Sequence, residues 1–389
     1  MRIAERFRQL PAVGQVLVIW AASRVLSTAL LLSVFVVASV NGLPFASFRK
    51  NPTFFTFSGL WDASAYKNIA THGYPLDLPL DSAGHVVSNE WAFMPAFPWL
   101  TRGVMEVTGT EFYPAGVVVA TIFGALAALA LYRVLAGRVG NRSALWAVVL
   151  FCFGPMAFML QTAYAESMFL FLLFCSLAAM IERRYLLMLP FALVAAFTRP
   201  GILSIALALG IVFLVRVFRK EEFPLAEKAR VVVTGLLIAA AGLAWPVIAE
   251  RVTGHPGAYI ETELSWWVGF IGRQHFVPLS PWFIMAFTYL GLLGIALVLA
   301  LVAVFAWWLT RRRMRELGLE TVLFGASYGL YLLAVFLPQE STFRLLMPLA
   351  PILGDPAIAR RRKLRTFLLA GGITLQAAAV VLLWFLAYP

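Results

Sequence analysis

The sequence predicts an all-α polytopic membrane protein, and three observations carry that prediction. Of 389 residues, 61% are hydrophobic and only 13% charged, with a mean hydropathy of +0.85, a balance too apolar for a water-soluble domain. Apolar runs of about 20 residues, the length that crosses a bilayer, recur along the chain. Between them Lys and Arg gather in short clusters, as they do in cytoplasmic loops. The formal charge of +12 therefore reads as a topology signal with membrane lipids as partner. A nucleic-acid surface would instead collect its cations on one continuous face. Cys152 and Cys175 both fall inside apolar runs and read as packing residues.

Each segment follows from the same two rules. Arg2, Arg6 and Arg8 hold the N-terminus in the cytoplasm, and residues 12–40 cross outward. That first run is too long for a signal peptide and lacks a small-residue cleavage site, so it is expected to stay as a span. Residues 41–112 form the first extracytoplasmic loop, carrying short helices and an apolar piece from Trp91 to Val107 at the interface. Residues 113–136 return to Arg133, Arg138 and Arg142. Two hairpins follow, 144–158 with 162–181 and 186–197 with 201–217, turning at AYAES and at Thr198 to Gly201. Several of these arms are shorter than a bilayer is thick, so their polar turns must line a cavity, which should open outside.

Residues 231–249 lead to a second extracytoplasmic loop, 250–281, with His255, Arg273 and His275. Residues 282–309 come back to the cluster Arg311, Arg312, Arg313 and Arg315. Residues 320–337 and 345–358 flank the turn PQESTFR, and 366–388 form the last span. The total is about eleven spans in a single domain covering residues 1–389.

Ionisable residues at membrane depth are costly, so those away from the cytoplasmic clusters are functional candidates. They are Asp62, Lys67 and His72 in the first loop, Glu90 beyond them, Glu166 and Arg199 at the hairpin turns, Arg273 and His275 in the second loop, and Glu340 and Arg344 in the last outer turn. On the predicted path they converge on one face, as a site for a charged ligand would. Asp62 precedes a segment in which Tyr66, Ile69 and Ala70 share a helical face. It reads as a helix N-cap, as a general base, or as both. His72 is either a second base or a turn hydrogen-bonder, and Trp61 and Tyr66 are either interfacial belt residues or a platform for a sugar. Arg199 and Arg344 each lie near a proline, suited to grip phosphate oxygens or to pair with Glu166 and Glu340. Asp77 and Asp81 sit in a Pro-rich loop and read as solvated. There is no DxD, HExxH or P-loop pattern, which weakens metal-nucleotide, metalloprotease and ATPase readings.

The stretch WDASAYKNIATHGYP, residues 61–75, resembles the first luminal loop of the PIG-V-type membrane mannosyltransferases, with its WDxxHF/Y…IAxxGY pattern. NEWAFMPAFPWL, PMAFMLQTAYAESMF and TRPGIL are similar to later segments of that family in the same order, so the likeness covers most of the first 205 residues. QESTFRLLMPLAP fits only generally. The chain departs from the pattern at Ala65, where histidine is usual, and at Pro200 and Gly201, where Ser-Asn is usual.

The resemblance implies a GT-C-type glycosyltransferase fold, a polyprenyl-phosphate mannose donor, and a lipid or glycan acceptor outside the cytoplasm. It implies metal-independent inverting transfer without a cofactor. Asp62 would be the base. Arg199, Arg344 and Lys67 would hold the donor phosphate. Trp61, Tyr66, His72, Glu90, Glu166, Gln339, Glu340 and His275 would contact substrate. The rival readings are a flippase or transporter of a lipid-linked sugar, and a glycan ligase or polymerase with a lipid-diphosphate donor. A transporter should carry polar residues through the full membrane thickness, whereas here they gather on one side. The Ala, Leu and Arg bias points to a high-GC bacterium, with an actinobacterial plasma membrane as the expected home and the site on its outer side.

Overall fold

The structure is a computed structural model that describes residues 2–43 and 52–386. Part of the expected first loop, residues 44–51, and the end of the expected last span, residues 387–388, lie outside the described residues. Helices account for nearly all regular structure among them. A short α1 (Arg2–Gln9) precedes α2 (Ala12–Val40), an apolar helix whose bend at Pro11 sets it off from the basic N-terminus. The first loop holds α3 (Phe54–Phe57), α4 (Asp62–His72) and α5 (Ala96–Thr108), and then α6 (Phe112–Cys152) begins.

The short hairpin arms expected from the sequence are α7 (Glu166–Ile181), α8 (Tyr185–Ala196) and α9 (Leu203–Phe218). The second loop, entered from α10 (Leu225–Thr253), carries α11 (Ala258–Ser265) and α12 (Val268–Ile271). The chain then runs through α13 (Pro281–Thr310), α14 (Arg312–Arg315), α15 (Leu319–Val335), α16 (Thr342–Leu345), α17 (Pro356–Arg360) and α18 (Arg362–Ala379), which continues as a π-helical stretch to Leu386.

Among the described residues five helical segments are long and apolar enough to cross a membrane: α2, α6, α10, α13, and α18 with its extension. The chain is thus an integral membrane protein. The apolar helices α7, α8, α9 and α15 are shorter, 12 to 17 residues, or about 18–26 Å at 1.5 Å per residue. Their ends must therefore meet polar surroundings inside the hydrocarbon thickness.

Burial sorts the helices by role. Around α7, packed by α6, α8, α9 and α15, almost every side chain is buried, including Glu166, Ser167 and Ser176. The two serines are satisfied by the Leu160 carbonyl at 3.1 Å and the Leu172 carbonyl at 2.8 Å. By contrast α13 turns a row of leucines outward, Leu292, Leu293, Leu297, Leu299 and Leu301 among them, as a lipid-facing helix does. Arg24 on α2 is buried and donates to the carbonyls of Cys152 and Ala157 and to Gln161. It caps the end of α6, where helix carbonyls lack partners of their own.

Three expected segments differ. Residues 113–136 and 144–158 merge in α6, broken only at Gly140, whose φ of 76° and ψ of 162° leave the helical region; the second arm stops at Cys152. The expected helix at 162–181 starts at Glu166, after a 3-10 turn at Ala157–Gln161. The expected span 345–358 is a 3-10 stretch, Met347–Gly354, followed by α17. Pro348, Pro351 and Pro356 lack the N–H groups an α-helix there would need.

Candidate active site

Asp62 opens α4 as its first residue, not as its cap. The cap position is Trp61, at φ 55° and ψ −121°, a backbone state that a bulky residue adopts only when its surroundings hold it there. Trp61 Nε1 donates to the carbonyl of Trp384 at 2.9 Å, and the Asp62 N–H donates to the Tyr164 hydroxyl at 3.1 Å. That hydroxyl donates in turn to the Leu60 carbonyl. The helical face read from the sequence packs below: Tyr66, Ile69 and Ala70 are all buried, and the Tyr66 ring meets Phe93, Phe97 and Tyr164 edge-on. The carboxylate is thus aimed by backbone and packing. The N-cap role in the sequence reading is not the one it plays.

Its partner comes from 282 residues along the chain: Arg344 Nη1 donates to Asp62 Oδ2 at 2.6 Å and to Glu166 Oε1 at 3.1 Å. Arg199 donates to the same Glu166 oxygen. Asp62, Glu166 and Arg344 are all more than nine-tenths buried. Two carboxylates and two guanidiniums thus form a balanced quartet, which is what makes such charges tolerable away from water. Glu166, not Glu340, pairs with both arginines. Two polar atoms of the quartet, Glu166 Oε2 and Arg344 Nε, have no hydrogen-bond partner. Burial pushes the Asp62 carboxyl above its usual range, and Arg344 pulls it back.

Local sequence sets each member. Glu166 begins α7, where a carboxylate faces the positive helix end. Arg199 precedes Pro200, which stops α8 from continuing, and Gly201 follows at φ 135°; a Cβ there would lie 3.0 Å from the Phe169 ring. Arg344 sits on α16, a single turn between Ser341 and the proline-rich stretch.

The quartet faces a cavity of about 310 Å³. Asp62, Tyr66, Arg199, Gln339, Glu340 and Arg344 line it, with Glu263, Trp266 and Trp267 opposite on the second loop. A second, more polar cavity of about 270 Å³ adjoins it, lined by Trp61, Ser64, Asn68, Ser88, Glu90 and others. Asp62, Phe93 and Trp266 line both. An apolar groove of about 470 Å³ runs between α13 and α15. Its walls include Leu332 and Leu333 on α15 and Leu346 beyond α16, neighbours in the sequence of Phe336, Leu337 and Leu345 of the first cavity.

The structure does not bring Lys67, His72 or His275 to either cavity. The Lys67 ammonium lies over the Tyr113 ring, 5.4 Å from its centre, because position 67 is on the α4 face opposite the cavities. His72 is exposed, its Nδ1 2.8 Å from the Thr71 hydroxyl, and His275 is exposed on the second loop. Asp81 is not merely solvated. It accepts from the Ala83 and His85 N–H groups and from Arg273, which ties the two loops together and removes Arg273 from the site. Among the described residues no group of three His, Cys, Asp or Glu could hold a metal ion.

Sequence reasoning missed Glu263. Tyr259, Glu263 and Trp266 follow i, i+4, i+7 spacing, one helical face, and that periodicity was the available signal. Tyr259 hydrogen-bonds the Glu263 carboxyl, which burial pushes up to about 7, against the pull of Tyr259 and Arg199.

No family model matches the sequence, and no curated protein matches it. Solved structures do match in fold. ArnT from Cupriavidus metallidurans bound to undecaprenyl phosphate superposes with a TM-score of 0.53 at 14% identity, over 95% of this chain and 64% of that one. The apo state of the same protein gives a TM-score of 0.43 at 14% identity, over 85% and 60%. This chain therefore shares the fold of that protein, and it spans less than two thirds of that protein's length, 64%.

Proposed function

We propose that the protein is a membrane glycosyltransferase that moves mannose from a polyprenyl-phosphate donor to a hydroxyl of a lipid or glycan acceptor on the extracytoplasmic side. One observation carries the reading: a buried carboxylate and two arginines converge at a cavity, and the segments that line it also line an apolar groove between α13 and α15. The arginines match a phosphate, and the groove matches an isoprenoid tail. The undecaprenyl phosphate bound to ArnT, the protein whose fold this chain shares, supports the same class of ligand.

In this reading the donor phosphate takes hydrogen bonds from Arg344 and Arg199, beginning with the unpartnered Arg344 Nε. As Arg344 turns to the phosphate its hold on Asp62 loosens, and the carboxylate can accept the acceptor's proton. The acceptor oxygen attacks the anomeric carbon from the face opposite the phosphate. The bond from that carbon to the phosphate oxygen breaks, its electron pair stays on the phosphate, and the configuration inverts. The arginines stabilise the added negative charge of the polyprenyl phosphate. The leaving group needs no proton, so one carboxylate suffices where glycoside hydrolysis uses two. Glu166 keeps both guanidiniums oriented.

The test is transfer of label from radiolabelled polyprenyl-phosphate mannose into lipid and glycan fractions by the purified protein. Label in either fraction supports the enzyme; bound donor that is never turned over supports a carrier instead.

A further inference from the structure

The second loop supplies one wall of the cavity that holds the arginines. Trp266 and Trp267 keep helical backbone angles, φ −69° with ψ −21° and φ −81° with ψ −20°, so the helical run of α11 continues into α12. Glu263, Trp266, Trp267 and Phe270 then fall at i, i+3, i+4 and i+7 on one helical face, and all four line the cavity. One carboxyl among three aromatic rings makes a surface for a sugar. Hydroxyls hydrogen-bond a carboxyl group, and the apolar face of a sugar ring packs on an aromatic one.

The groups that act on Glu263 come from several elements. Tyr259 is on its own helix and Tyr331 on α15, while Asp62 on α4, Arg199 after α8 and Arg344 on α16 reach it through space. Glu340 shares the cavity. Both arginines are engaged by Glu166, and Arg344 by Asp62 as well. Burial pushes the Glu263 carboxyl up to about 7, so below neutrality it keeps its proton and can both donate to and accept from a hydroxyl.

We infer that Glu263 holds the sugar of the lipid-linked donor through its hydroxyls, with Trp266, Trp267 and Phe270 against the ring. The inference rests on the reading above, that a polyprenyl-phosphate sugar occupies this cavity. The sugar is bonded directly to the phosphate, so a phosphate held by Arg199 and Arg344 keeps it inside the same cavity of about 310 Å³, where the second-loop face is the wall it meets. A neutral acid suits that wall, because it binds hydroxyls without setting a further full negative charge before the donor phosphate.

The experiment measures, in detergent at about pH 6, where Glu263 is protonated, the affinity of the purified full chain for polyprenyl-phosphate mannose and for polyprenyl phosphate without a sugar. Glu263→Ala should weaken binding of the mannosyl lipid about tenfold or more, as loss of a buried hydrogen-bond partner does, and leave the sugar-free lipid unchanged. Glu263→Leu, apolar and closer to Glu in volume, should give the same pattern and serves if the alanine variant fails to fold. Glu263→Gln, which keeps a neutral hydrogen-bonding group, should bind the mannosyl lipid within about threefold of wild type. Equal weakening of both lipids, unchanged binding of the mannosyl lipid by the alanine and leucine variants, or a glutamine variant as weak as alanine would overturn the inference, while donor binding by the wild type would still support the reading above. A wild type that binds neither lipid would defeat that reading and this one with it.

Discussion

Arg344 bridges two carboxylates at once, to Asp62 at 2.6 Å and to Glu166 at 3.1 Å. A lysine at that position offers a point charge without a planar fork and cannot span both partners and a phosphate. Arg344→Lys is expected to lower kcat/KM for the polyprenyl-phosphate donor about 100-fold, as loss of roughly 2–3 kcal/mol of charge-assisted bonding implies, and steady-state kinetics would measure it. Glu263 provides a test that does not depend on turnover. Its carboxyl titrates near 7 in the folded protein against an ordinary 4.5, so the folded state holds a proton that the unfolded chain gives up. Stability therefore falls as pH rises from about 4.5 to 7, by at most about 3 kcal/mol, and is unaffected below that window. Glu263→Gln should melt at the same temperature as wild type at pH 4 and higher than wild type at pH 8; an equal gap at both pH values would refute the assignment. The individual residues Asp62, Glu166, Arg199 and Arg344 were legible because each is a charge out of place among apolar runs. Their pairing was not, since the contact between positions 62 and 344 exists only in three dimensions. Glu263 was hidden because its loop is polar enough for another acid to pass as solvated.

At the level of elements, α4 was readable from the spacing of Tyr66, Ile69 and Ala70, which all point into the core. The device that aims its first residue, Trp61 at positive φ, was not, because nothing in a tryptophan announces that backbone state. The turn after α8 works by the same principle with a glycine. Gly201 at φ 135° has the Phe169 ring 3.0 Å from where a Cβ would sit, so Gly201→Ala should cost about 1–3 kcal/mol. Thermal melting should register that loss, and activity should fall with it because the turn positions Arg199. Proline explains the element misread most clearly: an apolar run at 345–358 has the composition of a span, but Pro348, Pro351 and Pro356 allow only 3-10 and single-turn structure.

Across the whole molecule, the fold sets a charged quartet at the meeting point of short helices and forms an apolar groove between α13 and α15. The short helices were visible in the sequence as undersized arms, and the cavity they require was expected from their length. The groove was not, since its lining of leucine, valine and alanine on α13 and α15 looks like any helix contact until the helices are placed. If the groove holds the donor's tail, Ala326→Trp, which projects an indole into it, should raise KM about tenfold for a long-chain polyprenyl donor and leave a ten-carbon analogue nearly unaffected, since each buried methylene contributes about 0.8 kcal/mol. Equal effects on both donors would place the tail elsewhere. The central claim is that Asp62 takes the proton from the acceptor, and the most direct test replaces that carboxylate with its amide. In purified Asp62→Asn, transfer from labelled polyprenyl-phosphate mannose should fall by about 100-fold or more while the labelled donor still binds; transfer at the wild-type rate would contradict the account.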